Sequence, residues 1–118
     1  MYELMVESNF EAAHQLLGYE GPCEKLHGHS WRVQVFLEGE NVDKLGMVID
    51  FKKVKGILKD VLKDFDHQNL NDLPEFKKIN PTCENVAKVI YERIKKEIKE
   101  ITKVAVWESG TTYAAYFH

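Results

Sequence analysis

The apolar period of this 118-residue chain changes twice along its length, from two, to alternating threes and fours, and back to two. Across residues 2–10, Tyr2, Leu4, Val6 and Phe10 alternate with Glu3, Glu7 and Asn9, as in a half-buried strand. Trp31, Val33, Val35 and Leu37 against Arg32, Gln34 and Glu38 repeat the pattern. From Asp50, a good helix N-cap, the apolar positions Phe51, Val54, Leu58, Val61, Leu62 and Phe65 are spaced as on one face of a helix. Thr82 caps a second helix, in which Val86, Val89, Ile90, Ile94, Ile98 and Ile101 keep that spacing. The closing runs KVAVWE and TYAAYFH are β-rich and split by SGT, which predicts a hairpin with Gly110 in its turn. The order is strand, strand, helix, helix, strand, strand. It predicts one α+β domain over residues 1–118, with a four-stranded antiparallel sheet and both helices on one face. Such a sheet leaves its second face and both edges uncovered, so self-association is expected.

Composition narrows the function classes. No apolar run is long enough to cross a bilayer, so a membrane role is not expected. The formal charge of −3 argues against a nucleic-acid partner, which would require concentrated positive charge. The lysines fall mostly in FKKVKGILKDVLKD and YERIKKEIKEITK, interleaved with acids as on solvated helix faces. Met1 leads into YELMVESNFEAAH without a basic segment followed by an apolar one, and a cytoplasmic location is expected. Cys23 and Cys83 lie far apart, and in a reducing compartment each is expected to be free, metal-bound or catalytic.

Chemistry concentrates in CEKLHGHSW. His27 and His29, two residues apart at the start of a strand, can share one face and one metal ion. His14, near the end of the neighbouring strand, supplies a third nitrogen. Three neutral imidazoles leave one coordination position open, the pattern of catalytic zinc; Cys23 as fourth ligand would instead close the site into a structural staple. Spacing alone permits either. FDHQNLN places Asp66 directly before His67, a carboxylate and imidazole able to tune a thiol such as Cys23 by proton relay. Glu108 ends the apolar run VAVW. There it either faces solvent at the strand end or, if buried, can grip a guanidine-like edge through paired hydrogen bonds.

Taken together, Cys-x₃-His-Gly-His, Asp66-His67-x-x-Leu70-Asn71, Pro81-Thr82-x-Glu84-Asn85-x-Ala87 and Glu108 resemble the 6-pyruvoyltetrahydropterin synthase family. The gap between Cys23 and His27 is similar to that of its 6-carboxytetrahydropterin synthase branch. The resemblance implies the tunnelling fold, in which subunits join their sheets into a barrel, as a hexamer built from two trimers. It implies zinc on His14, His27 and His29, a catalytic triad of Cys23, Asp66 and His67, Glu108 as the pterin anchor, and Thr82 lining the pterin pocket across a subunit boundary. The implied substrate is a small molecule, 7,8-dihydroneopterin triphosphate. Glu24 beside Cys23 resembles a subgroup in which a second product, 6-hydroxymethyl-7,8-dihydropterin, is formed; otherwise it is an exposed loop residue. Cys83 stands where the family often has a hydroxyl residue, and is expected to pack at the helix start. The rival expectations are the animal-type reaction to 6-pyruvoyltetrahydropterin and a non-catalytic, zinc-stapled binding domain.

Overall fold

The computed structural model of the protein describes residues 1–18 and 25–118. Two long strands, β1 (Tyr2–His14) and β2 (His27–Gly39), pair antiparallel along their whole length. They are followed by α1 (Phe51–Leu62), a short strand β3 (Gln68–Asn69), α2 (Cys83–Lys95), β4 (Ile101–Trp107) and β5 (Tyr113–Phe117). The sheet order is β3-β1-β2-β4-β5.

Alternation decides which face becomes core. Val6 and Phe10 of β1, Trp31, Val33, Val35 and Leu37 of β2, and Val104 and Val106 of β4 are buried in one cluster with Val54, Leu58, Val86, Ile90 and Ile94 of the helices. Each buried leucine or phenylalanine side chain contributes about 1.5–3 kcal/mol relative to exposure. The opposite face carries Glu7, Arg32, Gln34 and Trp107, linked by a Glu7–Gln34 hydrogen bond and by Arg32 stacked on the Trp107 ring at 4.3 Å. Both helix caps form: the Asp50 side chain accepts from the Lys52 amide and that of Thr82 from the Asn85 amide. Replacing Thr82 by alanine will cost about 1 kcal/mol in denaturant unfolding through the lost cap alone.

Four local expectations are corrected. The second helix stops at Lys95; Ile98 is buried in the following turn and Ile101 opens β4, so an apolar spacing that stays in phase hides the helix end. Likewise α1 ends at Leu62, and Phe65, fully buried, packs from the turn beyond it. β1 runs past Phe10 to His14 and β2 begins at His27, four residues ahead of Trp31, so strand pairing extends beyond the alternating residues that announce it and carries all three histidines. The sheet has five strands rather than four and is mixed rather than purely antiparallel, because β3 pairs parallel to β1 at Ala12 and Ala13. It is anchored just upstream by the His67 amide donating to the Glu11 carbonyl and by the Glu11 amide donating to Asp66 Oδ1 at 2.9 Å. Among the described residues, no helix is long and apolar enough to cross a membrane.

Candidate active site and metal centre

Strand register assembles the histidines. His14 pairs directly with His27, and Ala12 with His29. All three histidines continue the core stripe that runs through Phe10 and Trp31, on the helix-covered face. Trp31 forms the floor: it is fully buried, its indole N–H donates to the Ala12 carbonyl, and its ring lies 4.8 Å from the His14 ring and 5.8 Å from that of His29. Glu108 follows β4, one residue past Trp107 and therefore on the core side. One ligand atom from each of His14, His27, His29 and Glu108 lies within 4.8 Å of every other, a set able to hold a metal ion.

Hydrogen bonds orient two of the three rings. His14 Nδ1 lies 2.7 Å from the Pro81 carbonyl, and His27 Nδ1 lies 2.7 Å from that of Lys25. A carbonyl can only accept, so each Nδ1 carries a proton and Nε2 is the atom left to face an ion, the usual arrangement of metal-ligating histidine; His14 Nε2 is also within hydrogen-bond distance of Glu108 Oε1. Those nitrogens face Glu108 Oε1 at 3.1 Å from His14, 3.9 Å from His27 and 2.9 Å from His29. The His29 approach does not meet hydrogen-bond geometry, which leaves His29 Nε2 buried without a hydrogen-bond partner. Lone pairs facing a carboxylate oxygen repel unless a proton or cation lies among them, and the donor set fits a divalent ion. Burial is the main force holding the His29 pKa below its ordinary value, with His27 and His14 adding to it and Glu108 opposing.

Two asparagines fix the chain after His14. Asn71 accepts from the Gln15 amide and donates to its carbonyl, and Asn80 does the same for Leu17. Asn85 in turn donates to the Asn80 carbonyl at 2.8 Å. Replacing Asn71 by alanine removes both bonds to Gln15 and will lower unfolding stability by about 1–3 kcal/mol, measured by urea titration.

Asp66 and His67 stand at the outer edge of the same region. His67 Nδ1 lies 3.0 Å from Asp66 Oδ2, with the imidazole 78% exposed. His67 and His29 line one open groove of about 530 Å³, together with Gln68 and Asn69. The Glu11 amide, more than the neighbouring His67, holds the Asp66 carboxyl below its ordinary pKa. Arg93 of α2 stabilises this segment by pairing with Asp64 at 2.7 Å and with Glu75.

The structure thus brings His14, His27, His29 and Glu108 together and sets His67, paired with Asp66, along the adjoining groove. Thr82 spends its hydroxyl on the helix cap. Cys23 and Glu24 lie outside the described residues. One contact escaped sequence reasoning: the Cys83 thiol is 3.7 Å from Glu108 Oε2. Burial, reinforced by the Glu108 charge, pushes that thiol up to about 12, so it is a donor and not a thiolate at neutral pH.

Residues 3–118 match the family model described as 6-pyruvoyl tetrahydropterin synthase. The chain belongs to this family. It is 38% identical to the dihydroneopterin monophosphate aldolase of Pyrococcus furiosus over 110 residues, covering 91% of this chain and 90% of that one. It is 36% identical to the 6-carboxy-5,6,7,8-tetrahydropterin synthase of Synechocystis over 123 residues, covering 99% and 94%. The 6-pyruvoyl tetrahydropterin synthase of Caenorhabditis elegans superposes with a TM-score of 0.91 at 31% identity, over 99% of this chain and 95% of that one. The fold is therefore that of the tetrahydropterin synthases, an enzyme family.

Proposed function

We propose that this protein is a zinc-dependent 6-carboxy-5,6,7,8-tetrahydropterin synthase. It converts 7,8-dihydroneopterin triphosphate to 6-carboxytetrahydropterin, acetaldehyde and triphosphate. The observation that carries this reading is the convergence of three imidazole nitrogens, two of them oriented by backbone carbonyls, beside an exposed Asp-His pair. Relatives bearing that activity's name at 31% and 36% identity support it.

His14, His27 and His29 would hold the ion. Zinc bound there supplies Lewis-acid polarisation of the substrate's side-chain oxygens. The residues of the chain do the rest. Glu108 grips the 2-amino-4-oxo edge of the ring through two parallel hydrogen bonds. Asp66 fixes His67 through Nδ1, leaving Nε2 to exchange a proton in the groove. Cys23 takes the side-chain proton. Joining of subunits along the uncovered strand edges, into the expected hexamer, completes the pocket, with Thr82 lining it.

A second outcome is favoured by the aldolase name of the Pyrococcus relative: cleavage of a dihydroneopterin phosphate to 6-hydroxymethyl-7,8-dihydropterin, with Glu24 as base. Zinc-loaded protein incubated separately with dihydroneopterin triphosphate and monophosphate, with products read by mass spectrometry, tests both. The carboxy product from the triphosphate supports the main proposal, and the hydroxymethyl product supports the second. Unchanged substrates from folded, metal-replete protein would overturn the two together. Glu24→Ala will remove the hydroxymethyl product alone; equal loss of both products would make Glu24 a structural residue.

A further inference from the structure

Glu108 is asked to do two things that its position does not allow at once. Gripping a pterin edge requires both carboxylate oxygens to face the ring. In the structure both are engaged elsewhere, Oε1 among the three histidine nitrogens and Oε2 against the Cys83 thiol. The distances from Oε1 to the nitrogens, 2.9, 3.1 and 3.9 Å, bracket a meaningful value. Donors around a tetrahedral zinc with bonds of about 2.0–2.1 Å stand about 3.3–3.4 Å from one another.

We infer that Glu108 is a two-position carboxylate: in the substrate-free protein it is the fourth metal ligand beside His14, His27 and His29, and an arriving pterin draws it off. The inference rests on the pterin reading above. Its logic is an exchange of partners. A carboxylate bound to a cation gives up that contact only for another charge-assisted pair, and the guanidine-like edge of a 2-amino-4-oxo ring offers one. Departure of Oε1 opens a coordination position as substrate arrives, so the polarising ion is closed when the pocket is empty. Glu108 is placed for such movement: it stands just beyond β4 with a side chain 28% exposed. Cys83 steadies the closed position through Oε2.

The test uses full-length protein loaded with cobalt(II), whose visible bands report ligand number and type. Unsubstituted pterin, which lacks the side-chain hydroxyls, is the probe. Wild-type protein is expected to change its cobalt spectrum as pterin saturates. Glu108→Gln and Glu108→Ala are expected to start from an altered spectrum and to show no pterin-dependent change. In competition with a chromophoric chelator, both variants should lose at least about tenfold in metal affinity, the smallest loss typical even of outer hydrogen-bond partners of ligands. Wild-type spectrum and affinity in both variants would overturn the ligand role. A wild-type spectrum unmoved by bound pterin would overturn the exchange. Absence of any pterin binding, measured separately by calorimetry, would count against the proposed function, while the variants' metal-affinity result still decides whether Glu108 is a ligand.

Discussion

Alanine in place of His29 will strip the metal from a protein that remains folded. The His29 side chain is 27% exposed, and its buried Nε2 has no hydrogen-bond partner, so its removal leaves no backbone group among the described residues unpaired. Its loss leaves two imidazoles and the Glu108 carboxylate, one donor fewer than the full set, so zinc is held more weakly through dialysis against a chelator. Metal per chain, by elemental analysis after dialysis, is expected to fall from near one to near none. The far-ultraviolet spectrum should be unchanged. His14→Ala makes the informative contrast. His14 is 1% exposed and satisfies the Pro81 carbonyl, so its loss removes the metal and also leaves a buried acceptor unpaired, at about 1–3 kcal/mol. Full metal content in His29→Ala would take His29 out of the ligand set. Equal destabilisation of the two variants would show that the rings act mainly as packing.

The architecture was legible because the period changes that announce strands and helices are imposed by the same one-sided core. Val6, Phe10, Trp31 and Val33 face the helices, and Val54, Leu58, Ile90 and Ile94 face back. Element ends were less legible. Ile98 and Ile101 continue a helical spacing by coincidence of phase, although one packs in a turn and the other begins a strand. Gln68 and Asn69 are polar and form too short a strand to alternate, so only their backbone pairing with Ala12 and Ala13 reveals it. The histidines could be nominated from spacing, but their convergence depends on the pairing of His14 with His27, which no local pattern specifies. The contact between Cys83 and Glu108 was invisible for a related reason: it joins the start of α2 to the end of β4 across 25 residues.

Removing His67 should damage chemistry without touching the metal. Its side chain is 78% exposed and makes its ion pair with Asp66, 3.0 Å away, so little packing is at stake. The backbone is the complication: His67 has φ of +58°, where a β-carbon is strained. Asparagine tolerates that conformation better than alanine, so His67→Asn isolates the loss of the imidazole, with His67→Ala as the second variant. Product formation is expected to fall about 100- to 10,000-fold, the usual contribution of a positioned acid or base. Metal content and melting temperature should stay at wild-type values for His67→Asn. Asp66→Asn separates two duties of the carboxylate. Its side-chain carbonyl can still accept from the Glu11 amide, preserving the anchor between α1 and β1, but the negative charge beside His67 is gone. A rate loss with an intact fold would assign the effect to that charge. A His67→Asn protein that turns over substrate at the wild-type rate would remove the Asp66-His67 pair from the mechanism and return the proton transfer to groups nearer the histidine cluster.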